Sequence, residues 1–278
     1  MSISRSFGPP VPSEFGWYVF LRLLDRWAGN LSEEEMICRV TRLSAHVAGF
    51  SGRSAMPFIA MGRGISQTIY FRMHQISILD RLDRESRQRL ELFREDASRT
   101  PRAIFVSAHL GPFQLQMDIL ANLPHDILFL YRSYSWAPLA ARIEPLRLRH
   151  DRFKYVDARS PRDVLKAMNN GISLAFLGDA APLDRPDNGS PRKTSRLPLY
   201  GRMILDDFPV RMAIRTHLPI FVGGLYNRPD VSGRESLSLF GFDFCRVDPS
   251  VPAQTGAAYS VAMERAIRNN RSDWICFE

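Results

Sequence analysis

Residues 101–120, PRAIFVSAHLGPFQLQMDIL, carry the change of pattern that decides the architecture. Residues 103–107 form a short apolar run holding Ile104, Phe105 and Val106. This is the composition of a buried strand, and it stops at small residues just before His109. The histidine therefore stands at a strand exit. Gly111 and Pro112 punctuate a turn, and Leu115, Met117, Ile119 and Leu120 resume at roughly helical spacing. Strand, histidine, tight turn and helix is a layout for chemistry, because ligands of open α/β sheets collect at the carboxyl ends of strands. Little else in this stretch could act as a base near pH 7. The competing reading is an imidazole satisfied structurally within the fold.

The pattern on either side extends the same architecture. Before it, residues 1–16 are rich in Ser, Pro and Gly and read as a flexible arm, and residues 17–100 read as a helical N-terminal part. Within that part, residues 17–27, WYVFLRLLDRW, form an apolar helix interrupted by charge. It suits either a membrane interface, with Trp17, Tyr18 and Trp27 at headgroup depth, or packing on its own domain. Ser32 with Glu35 makes a capping box for a helix to about Val47. Residues 64–79 read as a second helix and residues 80–99 as a charged one with most of its charges in solvent.

After it, residues 127–131, ILFLY, read as a strand that delivers Arg132, well placed to hold a phosphate or carboxylate; a surface ion pair is the alternative. Arg142, Arg147 and Arg149 make residues 136–150 a basic helix. Further strands are expected at 153–156, 172–177, 218–226 and, as an alternating edge strand, 236–244; helices are expected at 162–170, 210–217 and 257–274. The strand at 172–177 ends on Gly178 and Asp179. If the sheet is parallel, Asp179 lies at the same edge as His109, where it either orients the imidazole, binds substrate or caps a turn. Residues 181–196 read as a polar loop over that edge. The fold class is thus α/β, a mixed, largely parallel sheet flanked by helices, with residues 101–278 as its core and 17–100 integrated with it.

Composition narrows the functions. With 278 residues, 45% hydrophobic and 24% charged, the chain has an ordinary globular balance and length for a large core. No apolar run is long enough to cross a bilayer and no signal peptide is visible, so a cytoplasmic location is expected. Cys38, Cys245 and Cys276 form no paired or zinc-binding spacing. Of 37 basic residues only Lys154, Lys166 and Lys193 are lysine, and the formal net charge is +8. Such a surface favours acidic partners. No nucleophile elbow, phosphate-binding glycine loop, metal-ligand cluster or nucleic-acid-binding motif is present, so no metal and no nucleic-acid partner are expected.

The block HLGPFQL, residues 109–115, resembles the active-site block of the late lipid A acyltransferases, the lauroyl and myristoyl transferases of outer-membrane lipid synthesis. That family's pattern is a His, four intervening residues, then Asp or Glu, usually with a glycine two places after the His. Gly111 matches; Gln114 stands where that pattern has its acid. GISLAFLGDAAP, residues 171–182, resembles the block in which a strand ends at an Asp commonly followed by Gln, here Ala180. LPLYGRMI, residues 197–204, resembles a Phe-Phe-Gly block, and residues 257–274 resemble the last helix. The ordered resemblance covers about residues 50–278 and implies a glycerolipid acyltransferase-like fold.

It also implies acyl transfer from a carrier-protein or coenzyme A thioester to a hydroxyl or amine, with His109 as general base and no tightly bound cofactor. Gln114 and Asp179 complete the expected catalytic set, and Arg132, Arg149, Tyr200 and Arg202 the substrate-binding set. Expected partners are an acyl or peptidyl carrier protein, an anionic or lipid acceptor, and a membrane surface. Family members usually carry an N-terminal anchor; here that element is short and charge-interrupted, which favours peripheral attachment at the cytoplasmic face of the inner membrane. A neutral amide at 114 orients an imidazole but stabilises its cation less than a carboxylate does. Asp179 is the better substitute acid than Asp118, which a continuous helix would carry about 13 Å away. An amine acceptor, which needs less base catalysis, and a binding protein that lost the reaction are the other expectations.

Overall fold

The computed structural model describes residues 12–51, 55–131, 137–138, 141, 153–157, 161–179, 195–197, 203–205, 207–228 and 239–270. It is α/β, as the sequence pattern implies. Four helices come first, α1 (Pro12–Ala28), α2 (Glu33–Ser51), α3 (Ala55–Met73) and α4 (Arg84–Arg99). The strands β1 (Ile104–Ser107), β2 (Ile127–Tyr131), β3 (Phe153–Asp157), β4 (Ser173–Leu177), β7 (Ile220–Asn227) and β8 (Phe240–Val247) then form one sheet, in the order β3-β2-β4-β1-β7-β8. The pairings are parallel except for β7 with the edge strand β8. Between these strands lie a short helix α5 (Gln116–Leu120), helix α6 (Pro161–Asn169), an antiparallel pair β5 (Ser195–Leu197) and β6 (Met203–Leu205), and helix α7 (Phe208–Thr216); helix α8 (Pro252–Asn269) follows β8.

Alternation along β1 builds two cores. Ile104 and Val106 join Leu174, Val222, Val210, Met212, Tyr259 and Met263 on the face covered by α6, α7 and α8. Phe105 joins Ala175, Phe221, Leu90, Phe93 and Leu120 on the face covered by α4 and α5. Phe93 of α4 meets Phe105, Phe221 and Phe242 edge-on, with centroids 5.5–6.1 Å apart, and stacks on Phe244 at 4.6 Å. Phe71 of α3 belongs to this second core, so the helical part is packed onto the sheet.

Several expected boundaries are corrected. Helix α1 begins at Pro12, inside the expected arm, because proline is tolerated in a helix's first turn; residues 1–11 lie outside the described residues. The helix expected to reach residue 79 starts earlier, at Ala55, and ends at Met73. Gln75 then takes a left-handed conformation (φ 54°) that reverses the chain, and Ser77 caps a separate 3-10 turn, Ile78–Arg81. The charged helix starts at Arg84 rather than residue 80. Asp83 caps it by accepting the Ser86 N–H at 2.6 Å, and Leu82 is drawn into a bridge with Phe240. Ser195 and Arg196, placed in the expected loop over the sheet, belong to β5, and the expected edge strand begins at Phe240.

The capping box forms as read: Glu35 N–H donates to Ser32 Oγ at 3.2 Å, and Ser32 N–H to Glu35 Oε2 at 3.1 Å. The apolar stripe of α1, Leu21, Leu24 and Ala28, is buried against Met36, Val40 and Ile69 of α2 and α3. Trp27 packs against this cluster and carries the Arg39 guanidinium over its ring at 5.9 Å. The side chains of Trp17 and Tyr18 lie outside the described residues. No helix among the described residues is long and apolar enough to cross a membrane.

Candidate active site

Parallel pairing sets the heights of the two central strand exits. Ser107 of β1 is in register with Leu177 of β4, and the Gly178 N–H extends the ladder to Ser107 O at 2.7 Å. Two residues further along each chain stand His109 and Asp179, at the same height above the sheet. Small residues permit this closeness. A Cβ on Gly178 would lie 2.5 Å from the Tyr259 hydroxyl and 2.6 Å from Val106 Cγ1. Gly111, at φ +46°, turns the chain back immediately after the histidine.

Asp179 holds His109 twice. Its Oδ2 accepts the backbone N–H of His109 at 2.8 Å, and its Oδ1 accepts Nδ1–H of the imidazole, also at 2.8 Å. The Asp179 side chain is 1% exposed and the His109 side chain 14%, so the carboxylate lies beneath a ring that still reaches the surface. A carboxylate can only accept, so the neutral ring keeps its proton on Nδ1 and its basic lone pair on Nε2. The Phe113 ring meets the imidazole edge-on, with centroids 4.9 Å apart, and restricts its rotation. The ion pair gives the imidazolium a buried counter-charge.

Gln114 is brought to the same turn but is engaged elsewhere. Its carboxamide oxygen lies 3.2 Å from Thr68 Oγ1 of α3, a hydroxyl that also reaches Gly64 O at 2.8 Å. Helix α3 reaches the turn because Gly64 has no side chain: a Cβ there would lie 2.3 Å from Gly111 O. The neighbouring Gln67 donates Nε2–H to Asn227 Oδ1 at 2.7 Å, tying α3 to the end of β7. Asp118 lies on α5, one turn of which is all that forms. Of the expected set, the structure therefore brings His109 and Asp179 together and places Gln114 beside them on Thr68. Arg132, Arg149, Tyr200 and Arg202 lie outside the described residues, as do Ala180 and Cys276.

Two polar residues of this region gave no signal in the sequence. Ser107 and Gln116 are 3% and 5% exposed, and Ser107 Oγ donates to Gln116 Oε1 at 2.8 Å. They sit in a narrow cleft under the His109 turn, lined also by Phe105, Phe113, Met117 and Phe129. A buried Gln in the helix after a strand reads as any amphipathic position until the sheet places it. His125 illustrates the structural use of histidine: its Nε2 meets Ala97 O and its Nδ1 meets Ser173 Oγ, both at 3.0 Å, and burial lowers its pKa. No group of His, Cys, Asp and Glu suited to a metal ion occurs among the described residues. No protein-family model matches the chain, and no curated protein matches it.

Proposed function

We propose that the protein is an acyltransferase, divergent from the late lipid A acyltransferases, that moves an acyl or aminoacyl group from a carrier-protein or coenzyme A thioester to a hydroxyl or amine. The observation that carries this reading is the doubly held imidazole: Nδ1–H on Asp179 Oδ1 and the backbone N–H on Oδ2, each at 2.8 Å. Nε2 takes the proton of the incoming O–H or N–H as that atom attacks the thioester carbonyl. The tetrahedral intermediate collapses with cleavage of the C–S bond, and the imidazolium returns the proton to the leaving thiolate. Asp179 fixes the tautomer and stabilises the imidazolium during this exchange. It supplies from the exit of β4 the carboxylate that the late lipid A acyltransferases carry after four intervening residues past the histidine. The phosphopantetheine or coenzyme A arm arrives with the donor, so no resident cofactor enters the scheme.

The net charge of +8 supports an acidic carrier protein, an anionic acceptor or an anionic membrane face. We place the reaction in the cytoplasm, with peripheral attachment to the membrane. The test is mass spectrometry of an acyl-loaded carrier protein mixed with candidate hydroxyl and amine acceptors. Transfer by the wild type and its loss in His109→Ala support the reading. Release of free acid without an acceptor means a thioesterase. Binding of lipid or carrier protein with neither outcome, unaffected by His109→Ala, means a family member that binds without transfer.

A further inference from the structure

We propose that the outer face of the α1–α2 hairpin docks on an anionic lipid bilayer. The proposal rests on the reading of peripheral attachment, to which it gives a surface, and not on the acyl-transfer chemistry. Arginines on the later helices are mostly neutralised locally: Arg89 and Arg99 of α4, Arg211 of α7 and Arg268 of α8 each hold a carboxylate one turn away. The hairpin differs. Arg22 and Arg26 of α1 and Arg39 and Arg42 of α2 are all exposed, and none of the four forms an ion pair among the described residues.

Helical spacing gathers these arginines on one surface. Val19, Arg22 and Arg26 are three and four residues apart, so they share the stripe of α1 opposite the buried Leu21, Leu24 and Ala28. Arg39 and Arg42 form the matching stripe of α2, opposite the buried Met36 and Val40. The Arg39 guanidinium lies 5.9 Å over the Trp27 ring and joins the two stripes across the seam between the helices. The acidic residues of α2 stand apart at its start, where Glu33, Glu34 and Glu35 occupy the first turn and Glu35 is held by Ser32. Asp25 of α1 is half-buried and lies off the stripe.

A bilayer suits this surface better than an acidic protein segment does. Val19 is 41% exposed beside the arginines, and the half-buried Trp27 keeps part of its ring at the surface. Arginine stems lie along such apolar groups while their heads stay among lipid phosphates, and tryptophan rings favour the headgroup layer. Helices of 17 and 19 residues joined by a short turn present a face about 25 Å long, an extended surface rather than a pocket. Its position also separates docking from chemistry. A Cβ on Gly62 would lie 2.5 Å from Ser44 Oγ of α2 and 3.4 Å from Phe20 Cζ of α1, whereas a Cβ on Gly64 would meet Gly111 O of the His109 turn. The hairpin and the turn therefore pack on opposite sides of α3, and the arginine face points away from the histidine.

Co-sedimentation of the full chain with vesicles tests this, using phosphatidylcholine alone and phosphatidylcholine mixed with about one-third phosphatidylglycerol. The expected result is binding to the mixed vesicles only, weakening as salt is raised. Arg22→Gln, Arg26→Gln and Arg42→Gln combined should weaken it by about 100-fold, at about fivefold for each charge. Arg99→Gln, Arg211→Gln and Arg268→Gln combined remove the same net charge from other helices and should weaken it by less than about fivefold. All six positions are exposed, so both triple variants are expected to fold with circular dichroism spectra like that of the wild type. No sedimentation with mixed vesicles, equal sedimentation with phosphatidylcholine alone, or equal losses in the two triple variants overturns the proposal. Binding of soluble polyglutamate through the same three arginines, with no binding of vesicles, also overturns it and assigns the face to an acidic protein. Transfer to soluble acceptors, measured on the same proteins, separates docking from catalysis. Docking by a wild type that transfers nothing would end the acyl-transfer reading and leave the docking face standing; transfer by a wild type that binds no vesicle would do the reverse.

Discussion

A single carboxylate holds the histidine at the strand exit through two hydrogen bonds. Asp179 accepts both the backbone and the side-chain N–H of His109, so its removal changes the ring's tautomer and its charge partner together. His109→Ala should lower transfer by about 10²–10⁴-fold, the usual contribution of a positioned base, measured as kcat for acyl-loaded carrier protein. Gln114→Glu should change kcat by less than about threefold, because residue 114 meets Thr68 rather than the imidazole. A large gain would show instead that an acid at 114 still reaches the ring. At this scale His109 and Asp179 were legible in the sequence, because each follows a short apolar run that ends in small residues. Their contact depended on strand order, which no local pattern encodes. Gln116 was not legible, because its partner Ser107 and its backing Gly224 come from β1 and β7.

Between elements, the fit of α3 on the histidine turn is governed by Gly64. A Cβ at this position would meet a backbone oxygen, Gly111 O, at 2.3 Å, and a backbone cannot rotate away as a side chain can. Gly64→Ala should therefore cost about 1–3 kcal/mol of stability, measured by urea unfolding, and should reduce transfer by displacing the turn. Strand and helix cores were legible from apolar periodicity: β2 falls on its expected residues, and the capping box before α2 forms as read. Boundaries were less so. The break after Met73 depends on Gln75 adopting a left-handed backbone, which glutamine rarely signals, and the start of α4 depends on Leu82 pairing with Phe240, more than 150 residues away.

Across the whole molecule, Glu33 contributes a fall in stability as pH rises from 4.5 to about 7, opposed by the buried His125, whose lowered pKa contributes in the other direction. Burial raises the Glu33 pKa from the ordinary 4.5 to about 7, only partly offset by the nearby Arg81 charge, and its Oε1 is buried without a hydrogen-bond partner among the described residues. The folded state thus holds this proton more tightly than the unfolded chain. The resulting stability is complete below pH 4.5 and is lost as pH rises through about 7. Glu33→Gln should flatten that part of the pH profile of Tm; an unchanged slope would show that Glu33 ionises freely in the fold. The α/β class and the parallel sheet were legible because they rest on summed periodicity over many residues, whereas the packing of α1 on α2 and α3 rather than on an external surface was left open by its sequence. The central claim is that Asp179 makes His109 a base. Its most direct test is kcat for acyl transfer by Asp179→Asn beside the wild type. Asparagine can still accept the His109 backbone N–H and so preserve the turn. The account predicts a fall of about 10²–10⁴-fold in kcat with KM little changed, and equal kcat values would contradict it.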